Sequence, residues 1–226
     1  MRNWNRTLYH RCNVALDKVL VLYRKKKIVS ADFSIISNNC WAGHVYRRYG
    51  LPYLTPTVGL YFFADDYVKL CSDLQGYMSK ELEFIPYTES KHRKIIEQRN
   101  QTHVPIARLG DVEIVFLHYS TAEEAARKWQ RRVRRINYDN IIYKFSQMNY
   151  CTDEHLEYFD QIVASKKICF IPRNSGANIN CAIRFMSAMG DEVDNDTAEY
   201  SRYINLTKMI NAKRVCGKHM EGQWDK

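Results

Sequence analysis

The chain has no long apolar run, no C-x-x-C pair and no glycine-rich nucleotide signature, and each absence excludes a class of protein. No stretch approaches the roughly 20 apolar residues that span a bilayer. No apolar segment followed by a small-residue cleavage site opens the sequence, so no secretory signal is expected. Five prolines and nine glycines in 226 residues exclude a collagenous or linker-rich chain. No Walker loop, G-x-S-x-G elbow or G-x-G-x-x-G turn is present, so these motifs name no reaction. Without an RNP-like aromatic-glycine motif or a basic heptad array, a dedicated nucleic-acid domain is not expected. The seven cysteines, at positions 12, 40, 71, 151, 169, 181 and 216, are odd in number and scattered. That pattern is no disulfide framework and fits reduced thiols in a cytoplasmic protein. The short paired spacings of structural zinc are missing as well, and no metal is expected.

What is present describes a folded chain. Apolar residues make up 46% and charged residues 26%, enough for a substantial core. The net charge is +9, from 34 basic and 25 acidic residues. Between Lys91 and Arg135, eleven basic residues face five acidic ones, so most of the excess sits in one fifth of the chain. Such a surface attracts phosphates, anionic lipid or anionic polymer. At the N-terminus, Cys12, Leu16, Val19, Leu20 and Tyr23 recur at helical spacing and run into Arg24-Lys25-Lys26-Lys27. A first helix docked on the domain, with a solvated tetrabasic turn, is one reading. An amphipathic helix lying on an anionic membrane, at the inner face, is the other.

Short apolar runs then alternate with helical periodicity. Phe33–Ile36, Val58–Phe63, Val112–Leu117, Ile141–Phe145 and Ile168–Ile171 read as strands, with a brief extended piece at Glu83–Pro86. Helices are expected over Cys40–Tyr49 (stopped by Gly50 and Pro52), over Asp65–Met78, after Thr121, from Thr152 and around Tyr200–Met209. Thr121 stands three residues before Glu124 at capping-box spacing, and Ala122, Ala125, Trp129, Val133 and Ile136 trace one apolar stripe. The expected fold is α/β: an open, mostly parallel sheet with helices on both faces, in one domain. Within it, 1–27 reads as the basic amphipathic helix, 28–175 as the α/β core and 176–226 as a helical extension.

Ligands of open α/β sheets bind beyond the carboxyl ends of the parallel strands. Four polar loops fall there if the strands are parallel: Ser37-Asn38-Asn39-Cys40, His118-Tyr119-Ser120, Ser146-Gln147 and Arg173-Asn174-Ser175-Gly176. Cys40 stands at a strand-to-helix turn, where the helix dipole favours a thiolate. Its structural alternative is a small buried cysteine. Asn38 and Asn39 are candidate oxyanion donors, and the backbone N–H groups of the helix start are a candidate phosphate site. His44, one turn on, and His118, across the sheet edge, are candidate ligand and base. Arg127–Arg135 carries six positive charges in nine residues, and Arg132 and Arg135 within it suit bidentate anion recognition. Asn137, Asp139 and Asn140 either join that site or cap the turn into the next strand.

Two blocks also carry a resemblance. The first comprises Ile35-Ile36-Ser37-Asn38-Asn39-Cys40-Trp41-Ala42-Gly43, Gly50-Leu51-Pro52-Tyr53 and Thr55-Pro56-Thr57-Val58-Gly59-Leu60. The second comprises Leu109–Ile114, Phe116–Tyr119 and Trp129–Arg132 with Arg135, Ile136, Asn137, Asp139 and Asn140. Together, over residues 28–172, they resemble a bacterial family of uncharacterised proteins described mainly as exopolysaccharide or capsule biosynthesis proteins. Asn39-Cys40 after a strand is also similar to the Gly-Asn-Cys-Gln turn of a second capsule-biosynthesis family, linked to coenzyme A and shaped like SGNH esterases. Here Asn38 replaces the glycine and Trp41 the glutamine. The resemblance implies surface-polysaccharide assembly, and the likeness implies acyl transfer.

The resulting expectation is a transferase joining a phosphorylated or acyl-carrier small molecule to a saccharide acceptor, with coenzyme A thioesters and nucleotide sugars as candidate donors. Cys40 would be its nucleophile, Asn38 and Asn39 its donors, His118 its base, and Arg132 and Arg135 its clamps. His44, Asn137, Asp139, Asn140, Arg173 and Asn174 would complete the ligand site. One alternative is a glycosyltransferase-like enzyme that uses Asp111, Glu113 or Asp139 and no covalent cysteine. The other is a binding module for a membrane assembly or an anionic polymer.

Overall fold

Residues 19–186 and 190–212 are described by the computed structural model. In chain order the elements are α1 (19–26), β1 (Ser34–Ser37), α2 (Trp41–Tyr49), α3 (Ala64–Ser72), α4 (Leu74–Ser79), β2 (Leu82–Ile85), α5 (Arg93–Gln98), β3 (Ile106–Leu109) and β4 (Val112–Val115). There follow α6 (Ala122–Val133), β5 (Ile141–Ser146), α7 (Asp153–Gln161), β6 (Lys166–Pro172), β7 (Ala182–Phe185), α8 (Asp196–Glu199) and α9 (Leu206–Asn211).

The larger sheet has the order β1-β5-β6-β7, all parallel. Alternation along its strands fixes the layers, because successive side chains point to opposite faces. Ile35, Ile142, Ile168 and Phe170 join Trp41, Val45 and Tyr46 of α2 and Leu206 and Met209 of α9 in one apolar cluster. Ile36, Phe145, Cys169 and Ile171 join Tyr67 of α3, Trp129 of α6 and Leu156 and Phe159 of α7 in the other. Helices therefore cover both faces, and β1 and β6 are buried along their whole length, as parallel strands require.

The smaller sheet, β2-β3-β4, is antiparallel. This corrects the expectation of a parallel strand at Val112–Leu117. The turn between β3 and β4 is Gly110-Asp111, and Gly110 has φ 68°, the left-handed backbone that opens a two-residue hairpin. Val58–Phe63 also departs from expectation. It is an extended segment joined to the sheet by one bridge, Tyr61 to Val115. The expected helix over Asp65–Met78 divides at Asp73, whose carboxylate accepts from Gly76 N at 3.0 Å to start α4. Residues past Gly176 contribute an edge strand, β7, besides helical turns.

The Thr121 hydroxyl accepts from Glu124 N at 3.2 Å and caps α6, while Glu124 reaches back to Ser120 N at 3.3 Å. Cys40, Cys71, Cys151, Cys169 and Cys181 are free thiols. Among the described residues, no helix is long and apolar enough to cross a membrane. Cys12 and Leu16 of the expected N-terminal stripe lie outside the described residues.

Candidate active site

Helix α2 begins at the carboxyl end of β1, and its start is held by its own side chains. Asn39 Oδ1 accepts from Trp41 N at 3.1 Å, and Ser37 Oγ accepts from Ala42 N at 3.2 Å while donating to Asn39 O at 2.7 Å. These two first-turn donors are therefore spent inside the protein and are not offered to a phosphate.

Beneath the turn lies a buried polar knot. Lys144, at the carboxyl end of β5, pairs with Asp196 of α8, and both side chains are almost wholly hidden from solvent. Asp196 Oδ2 also accepts from Ser146 Oγ at 2.6 Å and from Asn39 Nδ2 at 2.8 Å, while Lys144 Nζ donates to Asn39 Oδ1 at 3.0 Å. Burial pushes the Asp196 carboxyl up, but the Lys144 ammonium and the donated hydrogen bonds more than reverse this and hold it below the ordinary carboxylate range. Asn38 is fully buried, donating to Ser146 O at 3.0 Å and accepting from Ser146 N at 3.1 Å. The amides of Asn38 and Asn39 thus brace the turn and do not point donors at an oxyanion. The sequence reading placed Ser146 in a loop at this edge without a role, and missed Lys144 and Asp196. A lysine inside the apolar strand Ile141–Ser146 was the available signal, since a buried charge requires a partner.

Above the knot opens a cleft of about 520 Å³. Cys40, Gly43, His44 and Arg47 line one wall, at the i, i+3, i+4, i+7 spacing that puts four residues on one helix face. Lys128 and Arg132 of α6, again i and i+4, line another. His118 and Tyr119 follow β4, and the backbone N–H of His118 donates to Gly59 O at 2.9 Å, which seats that loop on the cleft although β4 belongs to the other sheet. Among the described residues no Asp or Glu lines it, although Glu124, one turn before Lys128, pairs with that lysine at 2.5 Å.

The walls are built around Arg132, which is only 6% exposed. Its Nη1 donates to Tyr119 Oη at 2.5 Å, its guanidinium lies 5.0 Å from the Tyr53 ring centroid, and its Nε has no hydrogen-bond partner among the described residues. Tyr119 in turn donates to Val58 O at 2.5 Å. Gly43 permits the approach of α2, because a Cβ there would stand 3.0 Å from Val58 Cγ1. Loss of hydration lowers the pKa of His44 from its ordinary value; the charge of Arg47 and the neighbouring His118 act the same way and outweigh the opposing pull of Asp196, which favours the neutral imidazole. Burial raises the pKa of Cys40 despite its position at the helix start, and its thiol contacts Leu60 O at 3.7 Å. It rests as a thiol.

The cleft therefore unites Cys40, His44, His118 and Arg132 of the expected site and adds Arg47, Tyr53, Tyr119 and Lys128. It does not include the others. Asn137, Asp139 and Asn140 lie at the amino end of β5, where Asn137 Nδ2 and Asn140 Nδ2 donate to Asp32 O at 3.2 and 2.8 Å, and Asn137 Oδ1 accepts from Asp139 N at 3.0 Å. They cap that turn, on the opposite edge. Arg135 is exposed beyond the end of α6, and Arg173 and Asn174 are exposed after β6, where Arg173 O accepts from Arg184 Nη1 at 3.3 Å. The carboxylates named for the glycosyltransferase-like alternative are absent from the cleft too. Asp111 accepts from Tyr77 Oη at 2.7 Å on the hairpin turn, and Glu113 accepts from Ser90 Oγ at 2.5 Å inside the small sheet.

A separate group of metal-ligand type, Asp65, Asp66 and His92, has its ligand atoms within 4.8 Å of one another. Lys91 Nζ already occupies it, at 3.1 Å from Asp65 and 2.6 Å from Asp66, and Asp66 also accepts from Glu113 N at 2.9 Å. An ammonium stands there in the role of the cation.

The family described as "Domain of unknown function (DUF1919)" matches residues 12–215. An uncharacterized protein of Haemophilus influenzae is 27% identical over 146 residues, which are 65% of this chain and 65% of that protein. The chain thus matches less than two thirds of the length of that curated relative.

Proposed function

We propose that this protein, which belongs to the DUF1919 family, is a transferase that holds a phosphate-bearing donor in the cationic cleft and passes a group from it to a saccharide hydroxyl. The observation that carries the reading is the lining itself: Arg47, Arg132, two histidines and Lys128, which Glu124 pairs at 2.5 Å from its own helix, converge with no carboxylate among the described lining residues. A pyrophosphate placed there would meet one buried, pre-oriented guanidinium and two cations at the mouth. His44, kept neutral, would accept the acceptor's proton as the donor's bond breaks, and the departing phosphate would stay neutralised by the basic walls. The polysaccharide context comes from the two sequence blocks.

Acyl transfer through Cys40 is a second reading, favoured by the place of its sulfur in the cleft lining. In that route the thiol proton passes to a histidine, sulfur bonds to the acyl carbon, and the carrier thiolate leaves and takes the proton. The acceptor hydroxyl then releases the acyl group and restores the thiol.

Assays pairing coenzyme A thioesters or nucleotide sugars with a saccharide acceptor separate the two. Cys40→Ala is expected to leave transfer from a nucleotide sugar within a few-fold of the parent, whereas loss of all turnover with a thioester donor establishes the second route. The pH dependences run in opposite directions. Donor affinity is expected to rise as pH falls through the histidine range, because protonation adds positive charge to the cleft. Transfer is expected to fall over the same range, with its midpoint below the ordinary imidazole value, because His44 loses its acceptor role. Neither donor class binding at any pH would contradict both routes.

A further inference from the structure

We infer that α1 and the turn after it form a docking surface for an anionic bilayer, independent of the cleft and of the reaction assigned to it. Helix α1 presents its apolar residues the wrong way round for a helix that only serves the core. Val19, Leu22 and Tyr23, one face at i, i+3 and i+4, are 62%, 60% and 56% exposed, and Val29 just beyond is 84% exposed. The inward face of the helix carries Val21, whose Cγ1 lies 2.6 Å from where a Cβ on Gly50 would stand, and in the turn after it Ile28 packs on the α2–α9 cluster. The outward stripe is therefore in addition to what the fold needs.

Charge stands directly beside it. Arg24-Lys25-Lys26-Lys27 follows the stripe, and no acidic residue occurs from Val19 to Ala31. Asn211 of α9 fixes the basic turn, donating to Lys27 O at 2.7 Å and accepting from Val29 N at 2.9 Å. Next to it a groove of about 340 Å³ is lined by Arg24, Lys27 and Arg48 with Tyr23 and Tyr200, with no acid among the described lining residues. The Tyr200 hydroxyl is buried there and has no hydrogen-bond partner among the described residues. Apolar side chains level with a row of cations, beside a cationic groove of headgroup size, suit a surface with a hydrocarbon layer under a layer of phosphate. A soluble anion or a polysaccharide has no use for the apolar stripe.

Co-sedimentation of the full chain with vesicles tests this. Binding is expected to phosphatidylcholine vesicles containing phosphatidylglycerol and not to phosphatidylcholine alone. Leu22→Ser/Tyr23→Ser and, separately, Lys25→Glu/Lys26→Glu are each expected to weaken it about tenfold or more. These side chains are exposed, so the melting temperature is expected to stay at that of the parent, and Val19→Ser gives a second reading of the stripe if the double variant fails to fold. Equal binding to both vesicle types, no binding, or binding unchanged by the apolar variants overturns the inference. Displacement from vesicles by millimolar-range glycerol phosphate would reassign the groove to a soluble phosphate. A dimer lost in Leu22→Ser/Tyr23→Ser, without vesicle binding, would reassign the stripe to a second copy of the chain.

Discussion

Lys144→Met is expected to cost about 3–5 kcal/mol of folding stability, read as a shift of the urea midpoint, because it strands the Asp196 carboxylate in the interior without its ammonium. Ser146 and Asn39 would still donate to Asp196, at 2.6 and 2.8 Å, but neither supplies the opposite charge. Adding Asp196→Asn removes the charge while keeping an oxygen for those donors, so Lys144→Met/Asp196→Asn is expected to recover much of the loss. Acid shows the same linkage. A carboxyl held below its unfolded value contributes stability that is present above the ordinary carboxylate range and is lost as pH falls through the lowered value. Asp196→Asn should therefore flatten the acid side of the stability curve. A Lys144→Met cost below about 1 kcal/mol would mean that the pair does not hold the turn. The consequence reaches the cleft, since Asn39, braced by Lys144, caps the helix that carries Cys40, His44 and Arg47.

Arg132→Ala is expected to lower affinity for a pyrophosphate-bearing donor by about a hundredfold or more, from loss of a charge-assisted contact in a desolvated wall. Arg132→Lys is expected to rescue little, because an ammonium has no planar fork to stack on Tyr53 or to reach Tyr119. Tyr119 keeps Val58 O as its acceptor, so the fold is expected to survive the substitution. Titration calorimetry on Arg132→Ala, with its melting temperature as control, measures the effect. Parent-like affinity would exclude Arg132 from the ligand.

The layers of this fold were legible because parallel strands buried on both faces spell continuous apolar runs. Ile141–Phe145 and Ile168–Ile171 could be read directly, and α2, α6 and α7 carried stops or caps. The same criterion misplaced Val112–Leu117. It too is buried on both faces, but the cause is an antiparallel neighbour and the Tyr61 bridge, and burial does not record strand direction. The Gly110-Asp111 dipeptide was the overlooked signal. Strand β7 escaped because an edge strand, with Ala182, Ile183 and Arg184 not fully buried, lacks the apolar run.

In the cleft, helical spacing from Cys40 reached His44 and stopped one turn short of Arg47. The basic run on α6 named Arg132 correctly, but it could not separate it from Arg135, which lies past the helix end. The Asn137-Tyr138-Asp139-Asn140 turn precedes its strand and so occupies the amino edge, away from the ligand. The Asp196 partnership joins residues 52 apart from Lys144 and leaves no local pattern.

A crystal soaked in tungstate, a phosphate-like anion visible by anomalous scattering, tests the cleft most directly. A tungstate seated between Arg47, Lys128 and Arg132, and absent from the same soak of Arg132→Ala, is the predicted result. Tungstate confined to the Arg24–Lys27 turn, or an empty cleft under conditions that fill other basic sites, would contradict it.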